Sequence, residues 1–155
     1  MKYRHDDNFN YDKNRKKQWR QEHDAGGFRC SHCKRWVVIN TYMGTKNRNH
    51  CNLCLWSKHV DESKGDRRSE CGSGMKPVGL TFKYEGIGRQ GELMLVHDCM
   101  GCGRVSINRL AADDNEQLVL ECFEASLTGG FESDGIRLLE EPDRREIQIQ
   151  LFGRA

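Results

Sequence analysis

Four of the eight cysteines in this 155-residue chain form two pairs with the spacing of zinc knuckles. Two residues separate Cys30 from Cys33 and Cys51 from Cys54, and residues 34–50 lie between the pairs. This spacing lets one tight turn aim both sulfurs at one ion, and four thiolates suit Zn²⁺ in a closed tetrahedral shell. We therefore predict a structural zinc site here, in preference to a redox pair or buried free thiols.

A second group of cysteines predicts a second zinc site. Cys99 and Cys102 form another knuckle, which Gly103 follows, and Cys71 begins a Cys-Gly-Ser-Gly run that resembles half a knuckle. We predict His97 as the fourth ligand because residues at i and i+2 of a strand share one face. The expected ligand set is therefore Cys71, His97, Cys99 and Cys102.

The fourth ligand of this second site has alternatives. Cys122 lies at helical spacing with apolar residues, which is typical of a core position. His59, His50, a carboxylate, water or the absence of a second ion are further possibilities. An open position would allow a zinc-bound water to react, but the chain has no deaminase, H-E-x-x-H or G-x-S-x-G pattern and no phosphate loop.

The segments that would position these ligands are short strands and a single helix. Residues 36–39 and 92–97 are strand-like, residues 86–88 indicate a hairpin turn, and residues 115–127 carry apolar side chains at helical spacing. Residues 146–152 alternate apolar and polar side chains, which predicts a strand that pairs with this domain or another chain. The expected fold class is small α+β, mainly β, with zinc-ribbon-like hairpins and one helix near the C-terminal end of the domain.

The distribution of charge along the chain is more informative than the formal net charge, which is +2. We expect a disordered basic arm over 1–27, a first zinc ribbon over 28–68, a second zinc-bound β unit with the helix over 69–127, and an acidic extension over 128–155. Residues 28–68 hold nine basic and three acidic side chains. A basic centre of this kind favours a polyanionic partner.

The sequence lacks the features of a membrane or secreted protein. No run approaches the ~18 apolar residues of a membrane span, and residues 1–20 have no apolar core of a signal peptide. In a reducing compartment, cysteines hold metal more often than they form disulfides. We therefore expect a cytoplasmic protein that carries two Zn²⁺ ions and does not engage a membrane.

Basic side chains interleaved with aromatic ones favour nucleic-acid binding, with structured RNA or the ribosome as the expected partner. The aromatic residues are Trp36, Tyr42 and Trp56. The predicted phosphate-binding side chains are Lys34, Arg35, Lys46, Arg48, Lys58, Arg67 and Arg68.

Polar residues are also concentrated beside the first zinc site. Asn49, His50, His59 and Asp61 form a candidate functional polar cluster. The alternative is structural: Asp61 and Asp66 would pair with Arg48 and Arg67 and fix the loops of a small domain.

Several ordered motifs resemble the RNHCP-domain family of small bacterial proteins. They are Arg48-Asn-His-Cys51, Cys54-Leu-Trp-Ser-Lys-His-Val-Asp61, Gly65-Asp-Arg67, Cys71-Gly72, Val96-His-Asp-Cys99, Cys102-Gly103 and Asn108-Arg-Leu-Ala-Ala-Asp-Asp-Asn115. The resemblance covers about residues 28 to 120, with Asn52 where the family motif has proline. It implies a zinc-ribbon-like fold, and it implies no biochemical activity.

Two further functions compete with nucleic-acid binding. A protein–protein adaptor is one, because zinc ribbons also present knuckle loops to protein surfaces. A zinc-dependent hydrolase or nuclease is the other, because Lys58-His59-Val60-Asp61 after a knuckle faintly resembles a His-Asn-His nuclease.

Overall fold

The computed structural model describes residues 26–39, 42, 48–63, 65–86 and 91–153. Within these ranges the strands are β1 Gly27–Arg29, β2 Trp36–Val38, β3 Ser57–Lys58, β4 Gly74–Phe82, β5 Leu93–Cys99 and β6 Val105–Arg109. The helices are α1 Glu116–Gly129 and α2 Arg144–Phe152, and a 3-10 turn spans Glu141–Asp143. The mainly β fold with a helix near the end of the domain is confirmed. No helix in the described ranges is long and apolar enough to cross a membrane.

The first sheet is a two-stranded antiparallel ribbon of β1 and β2. Its inner side is apolar, because Phe28 pairs with Val37 and both are buried against the cysteine cluster. This cluster is too small to stabilise a fold alone, which is typical of small metal-dependent domains. Residues 1–25 of the predicted basic arm lie outside the described part of the chain, and Gly27 already begins β1.

The second sheet has four antiparallel strands in the order β3-β4-β5-β6. The register between β4 and β5 shifts between Pro77 and Gly79, where the proline cannot donate to the ladder. A hairpin turn was predicted over 86–88. The antiparallel pairing of β4 with β5 agrees with it, while residues 87–90 lie outside the described ranges.

The main core lies between the second sheet and α1. Leu80, Leu93 and Leu95 of the sheet pack with Val119 and Phe123 of the helix, and all five are at most 3% exposed. The helix begins where the sequence predicts, because Asn115 is its N-cap and accepts a hydrogen bond from the Leu118 amide at 3.0 Å. It ends before Gly130, whose φ of 67° is the left-handed conformation that glycine favours.

The C-terminal extension differs from the sequence prediction. Residues 146–152 were expected to form a strand, and that prediction is wrong, because α2 covers them. Ile147 is fully buried in the core and Leu151 packs against it, a separation of one helical turn, whereas Ile149 is 38% exposed. The extension does make one backbone hydrogen bond to the sheet, earlier in the chain. There the Leu139 amide donates to the carbonyl of Leu80 in β4 at 2.8 Å.

Candidate metal centres

The first cluster joins the turn after β1 to the turn before β3. The Sγ atoms of Cys30 and Cys54 lie 3.6 Å apart, as do those of Cys33 and Cys51. All four sulfurs lie within 4.8 Å of one another. Tetrahedral zinc with bonds of about 2.3 Å places its sulfurs about 3.8 Å apart. The four cysteines therefore fit a closed zinc site, and they are free thiols in this structure.

The two turns that carry these cysteines have the same backbone geometry. The Lys34 amide donates to the Cys30 carbonyl at 2.9 Å, and the Leu55 amide donates to the Cys51 carbonyl at 2.8 Å. Lys34 and Leu55 both have positive φ, at 66° and 65°. This equivalence is the pattern of two zinc knuckles facing one ion.

The thiols of the first cluster do not ionise together without a cation. The hydrogen bond from Cys51 lowers the pKa of Cys30 to about 4, and burial opposes that shift. The same hydrogen bond, with burial, raises the pKa of Cys51. Burial raises the pKa of Cys54 to about 12. A divalent cation would replace the remaining protons, which is the chemistry this donor set supports.

The second cluster contains His59, Cys71, Cys99 and Cys102, whose ligand atoms all lie within 4.8 Å of one another. The Sγ atoms of Cys71 and Cys99 are 3.6 Å apart, and His59 Nδ1 lies 3.3 Å from Cys102 Sγ. Three sulfurs and one imidazole nitrogen are a common closed ligand set for structural zinc. His59 thus takes the place that the sequence analysis assigned to His97.

The prediction of His97 as a ligand is wrong because both of its ring nitrogens have other partners. Nε2 lies 2.6 Å from the Leu55 carbonyl and donates to it, while Nδ1 lies 2.8 Å from Asn108 Nδ2 and accepts from it. The ring is fully buried, and burial lowers its pKa to about 4. His97 is therefore a neutral residue that fixes the first ribbon to β5 and β6.

His59 reaches the second cluster because the chain after β3 continues alongside the segment that holds Cys71. The His59 amide donates to the Ser73 carbonyl, and the Gly72 amide donates to the His59 carbonyl, each at 2.9 Å. In the sequence analysis His59 was only an alternative ligand, because this pairing of distant segments has no local signal in the sequence. Spacing along one strand favoured His97 instead.

The remaining cysteine, Cys122, belongs to neither cluster. It lies on α1 and packs against the apolar core. Burial raises the pKa of the Cys122 thiol to about 11, so this group is a neutral thiol. The interpretation of Cys122 as a core residue agrees with this position.

A buried network of charges ties the first ribbon to the loop before α1. Arg48 is 1% exposed and pairs with Asp114 at 3.1 Å and Asp113 at 2.7 Å. His50 Nε2 lies 2.7 Å from Asp114 Oδ2. Arg48 also donates to the carbonyls of His50 and Val38. The prediction that Arg48 contacts phosphate is therefore wrong, because its guanidinium is enclosed by the protein.

Asp61 and Asp66 fix the loop after β3, as the structural alternative proposed. Asp61 pairs with Arg67 at 3.1 Å and accepts a hydrogen bond from its amide. Asp66 accepts hydrogen bonds from the amides of Glu62, Ser63 and Arg68. The predicted pairing of Arg48 with this loop is replaced by its pairing with Asp113 and Asp114.

A family model of the RNHCP domain matches residues 25–120 of the chain. The chain belongs to the RNHCP-domain family. Its signature residues have structural roles here: Arg48 and His50 bind Asp114, the Asn49 carbonyl accepts from Ser57, and Cys51 is a metal ligand candidate. No curated protein and no solved structure shows a significant match to the chain.

The basic residues predicted to bind nucleic acid differ in how far they are exposed on the RNHCP domain. Lys34, Arg35 and Arg68 are exposed, and Lys58 is half-buried. Arg67 is half-buried against Asp61, and Arg48 is enclosed. Lys46 lies outside the described ranges.

The outer side of the first ribbon combines positive charge with an exposed aromatic ring. We define the ribbon face as Arg29, Lys34, Arg35, Trp36 and Val38, all of which are exposed. Trp36 is 42% exposed and is the register partner of Arg29. Arg29 was not among the predicted phosphate-binding residues, although its register pairing with Trp36 places it beside the indole.

Proposed function

We propose that this RNHCP-domain protein binds structured RNA, ribosomal RNA included, through the ribbon face. The observation that carries the proposal is the exposed indole of Trp36 with Arg29 beside it on the paired strand. An aromatic ring beside a guanidinium is the combination that stacks unpaired bases and neutralises phosphates.

The position of Trp36 is fixed by its neighbours. A Cβ atom at Gly27 would lie 2.8 Å from Trp36 Nε1, so the indole covers the backbone of the paired strand. The Arg29 guanidinium donates to the Lys34 carbonyl at 2.8 Å, which holds the arginine along the knuckle. A preformed platform of this kind reduces the entropy lost when a base stacks on it.

Charge on the ribbon face supports a polyanionic partner. Among the residues that the structure describes, Arg35 has no salt-bridge partner, and the ribbon face contains no carboxylate. Residues 28–68 as a whole also carry a net positive charge, which strengthens the positive potential around the ribbon face.

Two closed metal sites support a binding role over a hydrolytic one. Each cluster supplies four protein ligand atoms, so a zinc ion held by all four keeps no position for a reacting water. His59, the residue that resembled a nuclease histidine, faces the second cluster through Nδ1. When bound, zinc would supply folding free energy to the parts of the chain that hold each cluster. A reducing, cytoplasmic location would keep these cysteines as thiols that can hold metal.

Fluorescence anisotropy with a labelled RNA hairpin that has an unpaired loop tests this proposal. We expect Trp36→Ala to weaken binding by about 1–3 kcal/mol, the usual contribution of one stacked base. Arg35→Ala should weaken binding and reduce the salt slope by about one. Tyr84→Ala is the matched control, because Tyr84 is 82% exposed and lies outside the ribbon face.

Three results would separate the possibilities. Equal affinity of wild type and Trp36→Ala, or an affinity independent of salt, would contradict the proposal. The absence of RNA binding by the zinc-loaded protein would leave the adaptor as the better account. RNA cleavage in the same samples would favour the nuclease.

A further inference from the structure

A second aromatic surface lies on residues 30–35, the turn that joins β1 to β2. His32 of this turn stacks on Trp56 of the other knuckle, with ring centroids 4.1 Å apart and an angle of 3° between the two planes. We call these two residues the aromatic pair. Parallel rings at this distance are in contact over their faces. The pair therefore forms a small stack that crosses from one knuckle of the first metal centre to the other.

The inner member of the aromatic pair is fixed by the protein. Trp56 is half-buried, and a Cβ atom at Gly74 would lie 3.5 Å from two carbons of its indole, so the ring packs against β4. The Cys51 amide donates to the Trp56 carbonyl at 2.9 Å, which fixes the backbone of this residue at the end of its knuckle. Trp56 thus supports the ring of His32 from one side.

The outer member of the aromatic pair is accessible. His32 is exposed although Trp56 covers one face of its ring, so the opposite face is open to solvent. The turn that carries it is braced, because Lys34 Nζ donates to the Ser31 carbonyl at 2.6 Å. Imidazole rings are among the side chains on which unpaired RNA bases stack. A ring that is already held in place loses little conformational entropy when a base binds to it.

The place of His32 beside the ribbon face indicates how many bases the protein can hold. Residues His32 and Trp36 are four positions apart in the chain, so their Cα atoms are at most about 14 Å apart. Neighbouring nucleotides of one unpaired loop can span such a distance. Lys34 and Arg35 lie between the two rings in the chain and are exposed, so they can neutralise the phosphates that link the two bases.

We propose that the exposed face of His32 is a second stacking site for a nucleobase. The protein would then hold two unpaired bases of one RNA loop, one on Trp36 and one on His32. The inference rests on the proposed RNA binding and deepens it, because it specifies a loop with at least two free bases as the ligand. Trp56 is a positioning residue in this arrangement, since it supports His32 and does not touch the RNA.

Anisotropy titration of the zinc-loaded full chain with the RNA hairpin tests the inference. We expect His32→Ala to weaken binding about tenfold, within the usual contribution of one stacked base. His32→Phe should retain most of the affinity, because phenylalanine keeps a ring that can stack. Ser31→Ala is the matched control, because Ser31 is exposed in the same turn and has no ring. Equal zinc content and equal amide dispersion of β1 and β2 show that the variants are folded.

A hairpin whose loop nucleotides are abasic separates stacking from charge. It keeps the loop phosphates but presents no base, so the difference in affinity between wild type and His32→Ala should disappear with this RNA. A difference of the same size with both hairpins would assign His32 to a phosphate contact or a structural role and overturn the inference.

Ring-proton spectra of histidine-labelled wild type give a readout that needs no substitution. A base that stacks on His32 should move its ring protons upfield along a saturable curve, while those of the buried His97 should stay in place. Unchanged His32 protons, together with weaker binding by Trp36→Ala, would reject the second site and retain the proposed function. Unchanged affinity in both Trp36→Ala and His32→Ala would reject the proposed function as well.

Discussion

His50 Nε2 and Asp114 Oδ2 lie 2.7 Å apart, although 64 residues separate them in the chain. Both side chains are at most 3% exposed. Asp114 also binds Arg48 and accepts from the Ala111 amide at 2.8 Å. The first ribbon is thus fixed to the sheet and helix by one buried carboxylate, where a larger domain would use apolar packing.

Replacement of Asp114 should therefore destabilise the fold strongly. Asp114→Ala leaves the buried Arg48 with only Asp113 and leaves His50 without its partner, and we expect a loss of about 3–5 kcal/mol in the free energy of unfolding. Denaturant titration of the zinc-loaded protein measures it. Glu62→Ala is the control, because its pair with Arg104 is exposed and should contribute at most about 1 kcal/mol. Equal effects of the two substitutions would contradict this role of Asp114.

Two isoleucines distinguish the helix α2 from the strand that the sequence suggested. In a strand Ile147 and Ile149 would share a face, but in α2 Ile147 is fully buried and Ile149 is 38% exposed. Ile147→Ala should cost about 2–5 kcal/mol, and Ile149→Ala less than about 1 kcal/mol. Thermal and denaturant unfolding measure both. Similar losses at the two positions would reject the helix.

The two metal centres should release zinc in a fixed order. Cys30 and Cys51 are at most 3% exposed, whereas Cys102 is exposed and Cys71 is half-buried. A coloured chelator should therefore remove one equivalent of zinc from the second cluster before the first. Backbone amide spectra recorded during zinc removal show which cluster has lost its ion, because the Cys99 resonance reports on the second cluster and the Cys30 resonance on the first. Simultaneous loss of both ions, or earlier loss from the first cluster, would contradict this order.

Removal of the second equivalent should unfold the first ribbon. Its buried cluster consists of Phe28, Val37, Cys30 and Cys51, so two of its four members are ligand candidates. Metal binding then supplies the folding free energy that so little apolar surface does not. Loss of the β1 and β2 amide dispersion in apo protein is the expected result, and its retention would show that the ribbon folds without metal.

The features that could be predicted from the sequence depend on local chemistry. Knuckle spacing placed six cysteines in three pairs, because two residues between cysteines define one turn, and the half-knuckle at Cys71 was added to the second group. The helix after Asn115 was predictable because its cap and its apolar spacing are adjacent in sequence.

The features that were missed depend on contacts between distant segments. His59 and Cys102 are 43 residues apart in the chain. They meet at the second cluster because the backbone of His59 pairs with the segment around Ser73. Arg48 resembled a phosphate ligand because nothing near it in sequence reveals Asp114. In α2 the alternating apolar pattern suited a strand, and the packing of Ile147 on the core favoured the helix.

Zinc stoichiometry by native mass spectrometry tests the central claim, that two closed centres hold the fold and that His59 completes the second. We predict two zinc ions for wild type and for His97→Gln, one for His59→Ala, and two again for His59→Cys, which supplies a thiolate as the fourth ligand in place of the imidazole. One zinc in His97→Gln together with two in His59→Ala would contradict the account and restore His97 as the ligand.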